Sequence, residues 1–195
     1  MTSFIITDLI QDLKRITNEG MQFLQENVSK LSENQKNWKP NELNWSVLEV
    51  SAHLNSYANY YHKTIQSKIA KTKFIAKRTT FISSPLGKST WTAIKLGNAQ
   101  NIKRKFKAPK AYNPMLEKAL VNGKDVEELI KNNSEFLILL DDSAKVSLRK
   151  IRIPLAVARL VRLRLGDILM FLAYHNERHI QQIKNLIVHP NFPKA

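Results

Sequence analysis

Apolar side chains recur with helical spacing along much of the chain, and the first such stretch covers roughly residues 4 to 30. One stripe of this helix is formed by Leu9, Leu13, Ile16, Phe23 and Leu24. The segment LSENQKNWKPNELN then contains a proline, which cannot continue the helical hydrogen bonds. The pattern therefore predicts a long amphipathic helix that ends in this segment.

A second helix is predicted to begin at Ser46, because Glu49 three residues later completes a capping box. In this motif the serine hydroxyl accepts a hydrogen bond from a backbone N–H, and the carboxylate accepts one from the N–H of the cap. The helix runs to about Ile69. Residues 71 to 115 are basic and interrupted by three prolines, so we expect a long irregular excursion with one short helix.

Two further helices complete the pattern. The third fits about residues 125 to 141, where one face carries Val126, Leu129, Ile130, Phe136, Leu137 and Leu140. Pro154 breaks the next segment, and the fourth helix runs from about Gly166 to Val188, ending before Pro190. Four long helices without a convincing strand predict an all-α fold. We expect a single domain over residues 1 to 195, built as an antiparallel four-helix bundle with the basic excursion between helices two and three.

The composition excludes several kinds of site. The 195 residues include 31 Lys and Arg, 16 Asp and Glu and no Cys, which gives a formal net charge of +15. Without cysteine there are no disulfides, thiolate metal ligands or cysteine nucleophiles, so a metal would need His, Asp, Glu or water. The N-terminal segment MTSFIITDLIQDLKR lacks the basic start and long apolar run of a signal peptide. We therefore expect a cytoplasmic protein that does not cross a membrane.

Two histidines occupy the apolar stripe of the predicted fourth helix. His175 and His179 lie one turn apart, separated by about 40° around the axis. Ile168, Leu172 and Leu186 fall within about 60° of His175, so both imidazoles face the core. A buried imidazole is costly unless a partner satisfies it, and one divalent metal would satisfy both. The alternative is a pair of core histidines satisfied by hydrogen bonds.

A third histidine points inward from the predicted second helix. His53 lies on the same side of this helix as Leu54, whereas His62 lies on the opposite side, where we expect it to be solvated. His189 belongs to the C-terminal tail. The predicted metal ligands are therefore His53, His175 and His179.

Other polar residues near these histidines limit the chemistry. Asn176 follows His175 where the zinc-peptidase motif requires Glu, which excludes that motif. Glu177 lies about 160° from both histidines, so we expect it to be solvated or at an interface. Four side chains could support the site or contact a substrate, namely Glu49, Tyr57, Tyr60 and Gln182. Helix capping is an equal alternative for Glu49, and core packing is the alternative for the other three.

Two motifs in this sequence resemble the DinB-like superfamily, which includes the YfiT-type metal-dependent hydrolases. They are WSVLEVSAHL at residues 45 to 54 and HNERHIQQI at residues 175 to 183, preceded by NWKP and LRLGDIL respectively. The resemblance implies a four-helix bundle, often homodimeric, with zinc or nickel held by one histidine of helix two and two of helix four. These positions are His53, His175 and His179 here. The basic segment from about residue 71 to 110 has no counterpart in the resemblance.

The function predicted from these observations is a metal-dependent enzyme that acts on a small molecule, with an anion as one candidate substrate. Three histidine ligands leave one coordination position open, which could activate water or a thiol. The resemblance implies either hydrolysis or transfer by an external low-molecular-weight thiol such as bacillithiol or mycothiol. The alternative is a basic protein that binds nucleic acid or an anionic surface and has a structural metal. Because no known nucleic-acid motif accompanies the charge, we do not expect sequence-specific binding.

Overall fold

The structure, a computed structural model, describes residues 2–97, 101–102 and 107–194 and is mostly helical. The α-helices of these ranges are α1 (Ile6–Phe23), α2 (Glu33–Asn37), α3 (Val47–Ala70), α4 (Pro85–Ile94), α5 (Asp125–Ala144) and α6 (Leu165–Ile187). The strands are β1 (Ser3–Ile5), β2 (Thr80–Ile82), β3 (Arg152–Leu155) and β4 (Ala158–Arg164). Two short 3₁₀ turns, Lys110–Tyr112 and Lys118–Leu120, lie between α4 and α5.

The four long helices predicted from periodicity are confirmed as α1, α3, α5 and α6. A π-helical turn, Leu24–Val28, extends α1 along the predicted stripe. The capping box of α3 is also confirmed. The hydroxyl of Ser46 accepts from the N–H of Glu49 at 3.2 Å, and the Glu49 carboxylate accepts from the N–H of Ser46 at 2.7 Å.

The long helices pack against one another in pairs and bury many of their apolar side chains between them. Both α3 and α1 contact α5 and α6. At Gly20, an added Cβ would lie only 2.5 Å from Cδ1 of Ile180, so glycine lets α1 approach α6 closely. Within the described ranges, none of the helices combines the length and the apolar character that crossing a bilayer requires.

The expectation of a fold without strands was wrong, because two small antiparallel sheets accompany the helices. One pairs β1 with β2, and the other is the hairpin of β3 and β4. Pro154, interpreted from the sequence as a breaker, lies within β3 beside Ile153, which is fully buried. Three of the strands have only three or four residues, and β4, with seven, is exposed over most of its length, so none of them shows a clear alternating pattern of burial.

The basic excursion contains the one short helix that was expected, α4, together with β2. Pro85 begins α4 at its first turn, with Ser84 as N-cap, instead of interrupting structure. The buried carboxylate of Asp167 accepts hydrogen bonds from the hydroxyls of Ser83 at 2.5 Å and Ser84 at 2.7 Å, which fastens α4 to the start of α6. Residues 98–100 and 103–106, including part of the basic run, lie outside the described residues.

Candidate metal centre

Three imidazoles converge between α3 and α6, as the helical spacing predicted. His53, His175 and His179 each offer one ring nitrogen, and these nitrogens lie within 4.8 Å of one another. The Nε2 atoms of His53 and His175 are 3.2 Å apart. Two nitrogens bound to a tetrahedral zinc ion at its usual bond length would be separated by about 3.3 Å. The observed spacing is therefore suited to a shared ion.

Hydrogen bonds fix the tautomers of two of these imidazoles. Nδ1 of His53 donates to the carbonyl oxygen of Tyr112 at 2.6 Å, and Nδ1 of His179 donates to Oε1 of Gln182 at 3.0 Å. Because a carbonyl oxygen only accepts, each Nδ1 carries the proton and each Nε2 has a free lone pair in the neutral ring. Metal-binding histidines are commonly oriented in this way by a partner on the second nitrogen.

The donor set fits a cation better than it fits histidines that satisfy one another. His53 and His179 carry their protons on Nδ1, so a single proton on Nε2 of His175 would be the one proton among the three rings able to hydrogen-bond with their two Nε2 lone pairs. Nδ1 of His175 is buried and has no hydrogen-bond partner in the described part of the chain. A divalent ion would interact favourably with all three Nε2 lone pairs at once.

The surroundings keep all three imidazoles neutral. Burial lowers the pKa of His53 to about 4, although the Tyr112 carbonyl acts in the opposite direction. Burial also lowers the pKa of His175 and of His179 well below the usual value. The electrostatic effects of the neighbouring imidazoles and of Arg178 lower it further, whereas the Gln182 hydrogen bond acts in the opposite direction on the pKa of His179. Since only a neutral imidazole can coordinate a metal, the cluster is ready to bind at neutral pH.

Aromatic rings that sequence reasoning did not assign to the site form its walls. Trp45 stacks on His179 with centroids 5.9 Å apart, and Phe171 stacks on His175 at 5.2 Å. Phe171 could have been identified, because it lies one turn before His175 on the same helix. Trp45 precedes the helix cap and Tyr112 lies in the excursion, so no periodic signal connected either of them with the histidines.

The two candidate tyrosines have different positions. The Tyr57 ring lies 5.1 Å from that of His53 and 4.7 Å from that of His175, and burial raises its pKa to about 12. Tyr60 instead packs edge-on against Tyr61, and its hydroxyl is 3.5 Å from the carbonyl oxygen of Pro154. Only Tyr57 of this pair therefore borders the histidines.

The other two candidate residues, Gln182 and Glu49, also differ in whether they contact a histidine. Gln182 contacts His179 directly, as described above. Glu49 caps α3, and its carboxylate also lies 3.2 Å from Nζ of Lys39. Because the Tyr112 carbonyl occupies Nδ1 of His53, the capping alternative accounts for Glu49.

The expectation that His62 is solvated was wrong. Its side chain is only 12% exposed, its ring stacks on Phe136 with centroids 5.9 Å apart, and Nδ1 lies 3.7 Å from the Glu135 carboxylate. The reason is that α5 covers the side of α3 opposite to His53. Glu177, expected on a solvated or interface surface, is half-buried, and burial raises its pKa.

Comparisons with known proteins place this site within a family. Searches of curated proteins and of solved structures each gave no significant match. A model of the DinB superfamily matches residues 19–183, well over half of the chain, and the match spans His53, His175 and His179. The chain therefore belongs to the DinB superfamily.

Proposed function

We propose that this protein is a metal-dependent enzyme in which His53, His175 and His179 hold one divalent ion, zinc or nickel, inside an antiparallel four-helix bundle. The observation that carries the proposal is the convergence of three buried or half-buried, neutral imidazoles whose ring nitrogens lie within 4.8 Å of one another. The pairwise packing of α1, α3, α5 and α6 supports the bundle arrangement.

Three protein ligands are typical of a catalytic rather than a structural site, because structural zinc usually has four. When bound, the ion would supply Lewis acidity that lowers the pKa of a coordinated water or thiol toward neutrality. The chain has no cysteine, so a thiol would have to be an external, low-molecular-weight molecule. The reaction class is thus hydrolysis or transfer to such a thiol.

Several groups around the histidines would orient the metal ligands, contact the substrate or limit the access of water. The Tyr112 carbonyl and Gln182 hold two imidazoles with their Nε2 lone pairs free. With a pKa of about 12, Tyr57 keeps its proton at neutral pH and can donate a hydrogen bond to an anionic substrate oxygen. The rings of Trp45 and Phe171 restrict water around the histidines and strengthen electrostatic interactions there.

The substrate is proposed to be a small anion, because the net charge of +15 attracts anions toward the protein. A homodimer and a cytoplasmic location stay predictions. The oligomeric state is measured by light scattering coupled to size-exclusion chromatography, where a monomer at micromolar concentration would contradict the dimer.

Metal analysis of purified protein tests the site. We expect about one divalent ion per chain in the wild type and loss of it in the His175→Ala and His179→Ala variants. His189→Ala is the matched control, because its ring lies in the tail beside Trp38 and should not affect metal content. Full metal retention in both α6 variants would overturn the assignment.

The competing function, a basic binding protein with a structural metal, predicts a different result on DNA. We expect retention on heparin or DNA to fall steeply with salt, to show no sequence preference and to be unaffected by removing the metal. A sequence-selective complex that tolerates salt would favour the binding protein over the enzyme.

A further inference from the structure

A large cationic cavity lies away from the three-histidine cluster. It has a volume of about 770 Å³ and shares no lining residue with that cluster. Its walls are the segment 73–81, which follows α3, and the segment 146–152 with Arg164, which lie at the open end of the β3–β4 hairpin. Backbone hydrogen bonds join the two walls, from Ala76 N–H to the Lys145 carbonyl at 3.0 Å and from Ser147 N–H to the Phe74 carbonyl at 2.8 Å. The two walls of the cavity are therefore held together by backbone hydrogen bonds.

The charge of this cavity is entirely positive. One wall contributes Lys73, Lys77 and Arg78, and the other contributes Arg149, Lys150, Arg152 and Arg164. None of the sixteen lining residues is acidic, and in the described part of the chain none of the seven cations has a carboxylate within salt-bridge distance. Gathering seven like charges without a counter-charge destabilises the fold unless an anion compensates them.

Arg164 is poised to contact such an anion. One of its terminal nitrogens, Nη1, donates to the carbonyl oxygen of Ile82 at 2.5 Å, which holds the guanidinium at the cavity wall. Its Nε is buried and has no hydrogen-bond partner among the described residues. Burial lowers the pKa of Arg164, and the positive charges of Arg152 and Arg149 lower it further, whereas the Asp167 carboxylate acts in the opposite direction. An anion in the cavity would relieve the repulsion among these guanidinium groups.

We propose that this cavity binds a small molecule that carries a diphosphate or triphosphate group. A multiply charged ligand is required because a single carboxylate would leave most of the seven cations uncompensated, and arginine forks match phosphate oxygens with two parallel hydrogen bonds. A concave site of this volume is of the size that small-molecule ligands occupy, whereas a nucleic-acid backbone follows an extended track. Phe74 and Ile75 add apolar surface beside the charges.

Isothermal titration calorimetry at 0.15 M salt tests the proposal, since this ionic strength screens loose surface attraction over about 8 Å. Inorganic tripolyphosphate and adenosine triphosphate are the probes. Tighter binding of the nucleotide would identify a nucleotide ligand, and equal binding would identify recognition of the phosphates alone. The same titration of His175→Ala should give unchanged affinity, which excludes phosphate bound at the histidine cluster.

The decisive variant is Arg149→Ala with Arg152→Ala, because both side chains are exposed at the cavity and their loss should leave the fold intact. We expect the dissociation constant to rise by about tenfold or more. The matched control, Arg159→Ala with Arg162→Ala, removes the same charge from exposed positions in the same region that do not line the cavity, and should change it by less than about twofold.

If the first double variant does not fold, Lys73→Ala with Lys77→Ala on the other wall should give the same loss. Undetectable binding of both probes by the wild type, or an equal loss in the cavity and control variants, would overturn the proposal. DNA that binds more tightly than tripolyphosphate, with equal loss in both double variants, would replace it with a non-specific nucleic-acid surface.

Discussion

The contact between Gln182 and His179 is a quantitative test of the metal centre. Oε1 of Gln182 lies 3.0 Å from Nδ1 of His179, where it fixes the tautomer that leaves Nε2 free. In the Gln182→Leu variant the side chain keeps a similar size but cannot accept this proton. Loss of a partner on a metal-bound histidine typically weakens metal affinity about 10–100-fold, which corresponds to about 1.4–2.7 kcal/mol.

The assay is competition for zinc against a chromophoric chelator, with the thermal unfolding of the metal-free protein measured in parallel. We expect Gln182→Leu to weaken metal affinity within that range while the metal-free protein unfolds at nearly the same temperature. Gln182→Glu retains an acceptor oxygen and should keep wild-type affinity or exceed it.

Gln181→Leu is the control, because this neighbouring side chain bonds to Asn185 on the helix surface and not to a histidine. Its metal affinity should match that of the wild type. If Gln182→Leu binds zinc as tightly as the wild type, or if Gln181→Leu loses as much affinity, the hydrogen bond does not orient a ligand and the reasoning fails.

Three further predictions concern the same site and its surroundings. The pKa of His53 is about 4 in the folded protein and about 6.5 in the unfolded chain, so the unfolded state takes up the proton first as pH falls. The metal-free protein should therefore lose about 3 kcal/mol of unfolding free energy between pH 6.5 and pH 4 from this group, measured by urea denaturation, and a His53→Ala variant should lose less over that range. The His62→Ala variant should keep its metal but unfold more easily by about 1–3 kcal/mol, because it leaves a hole beside Phe136; an unchanged melting temperature with loss of metal would contradict this. Cobalt-substituted protein should change its visible spectrum when azide or a small thiol is added, since three protein ligands leave a position open, and an unresponsive spectrum would indicate a closed structural site.

The long helices could be predicted because each one buries a stripe of its own surface. Leu9, Leu13 and Ile16 recur at helical spacing and are all buried, and the capping box at Ser46 marks the start of α3 within a residue. These signals are local, since a helix satisfies its backbone hydrogen bonds within its own segment. The inward direction of His53 and His175 follows from the same periodicity.

The features that the sequence predicted wrongly or missed depend on contacts between distant segments of the chain. His62 was expected in solvent because one helix considered alone has an outer side, yet α5 covers that side. The strand β1 pairs with β2 across more than seventy residues of sequence, and such a pairing has no local pattern. Tyr112 reaches His53 through its backbone carbonyl, which any residue type could supply.

The sequence by itself determined the four long helices, the absence of cysteine ligands and the inward direction of His53, His175 and His179. It did so because helix formation, burial and ligand type depend on residues a few positions apart. Only the tertiary structure decided how close those imidazoles come to one another, which oxygens hold their second nitrogens, and that Lys73, Arg149 and Arg164 line one cavity. These arrangements depend on how distant segments pack, and packing is set by the shape of all the side chains together.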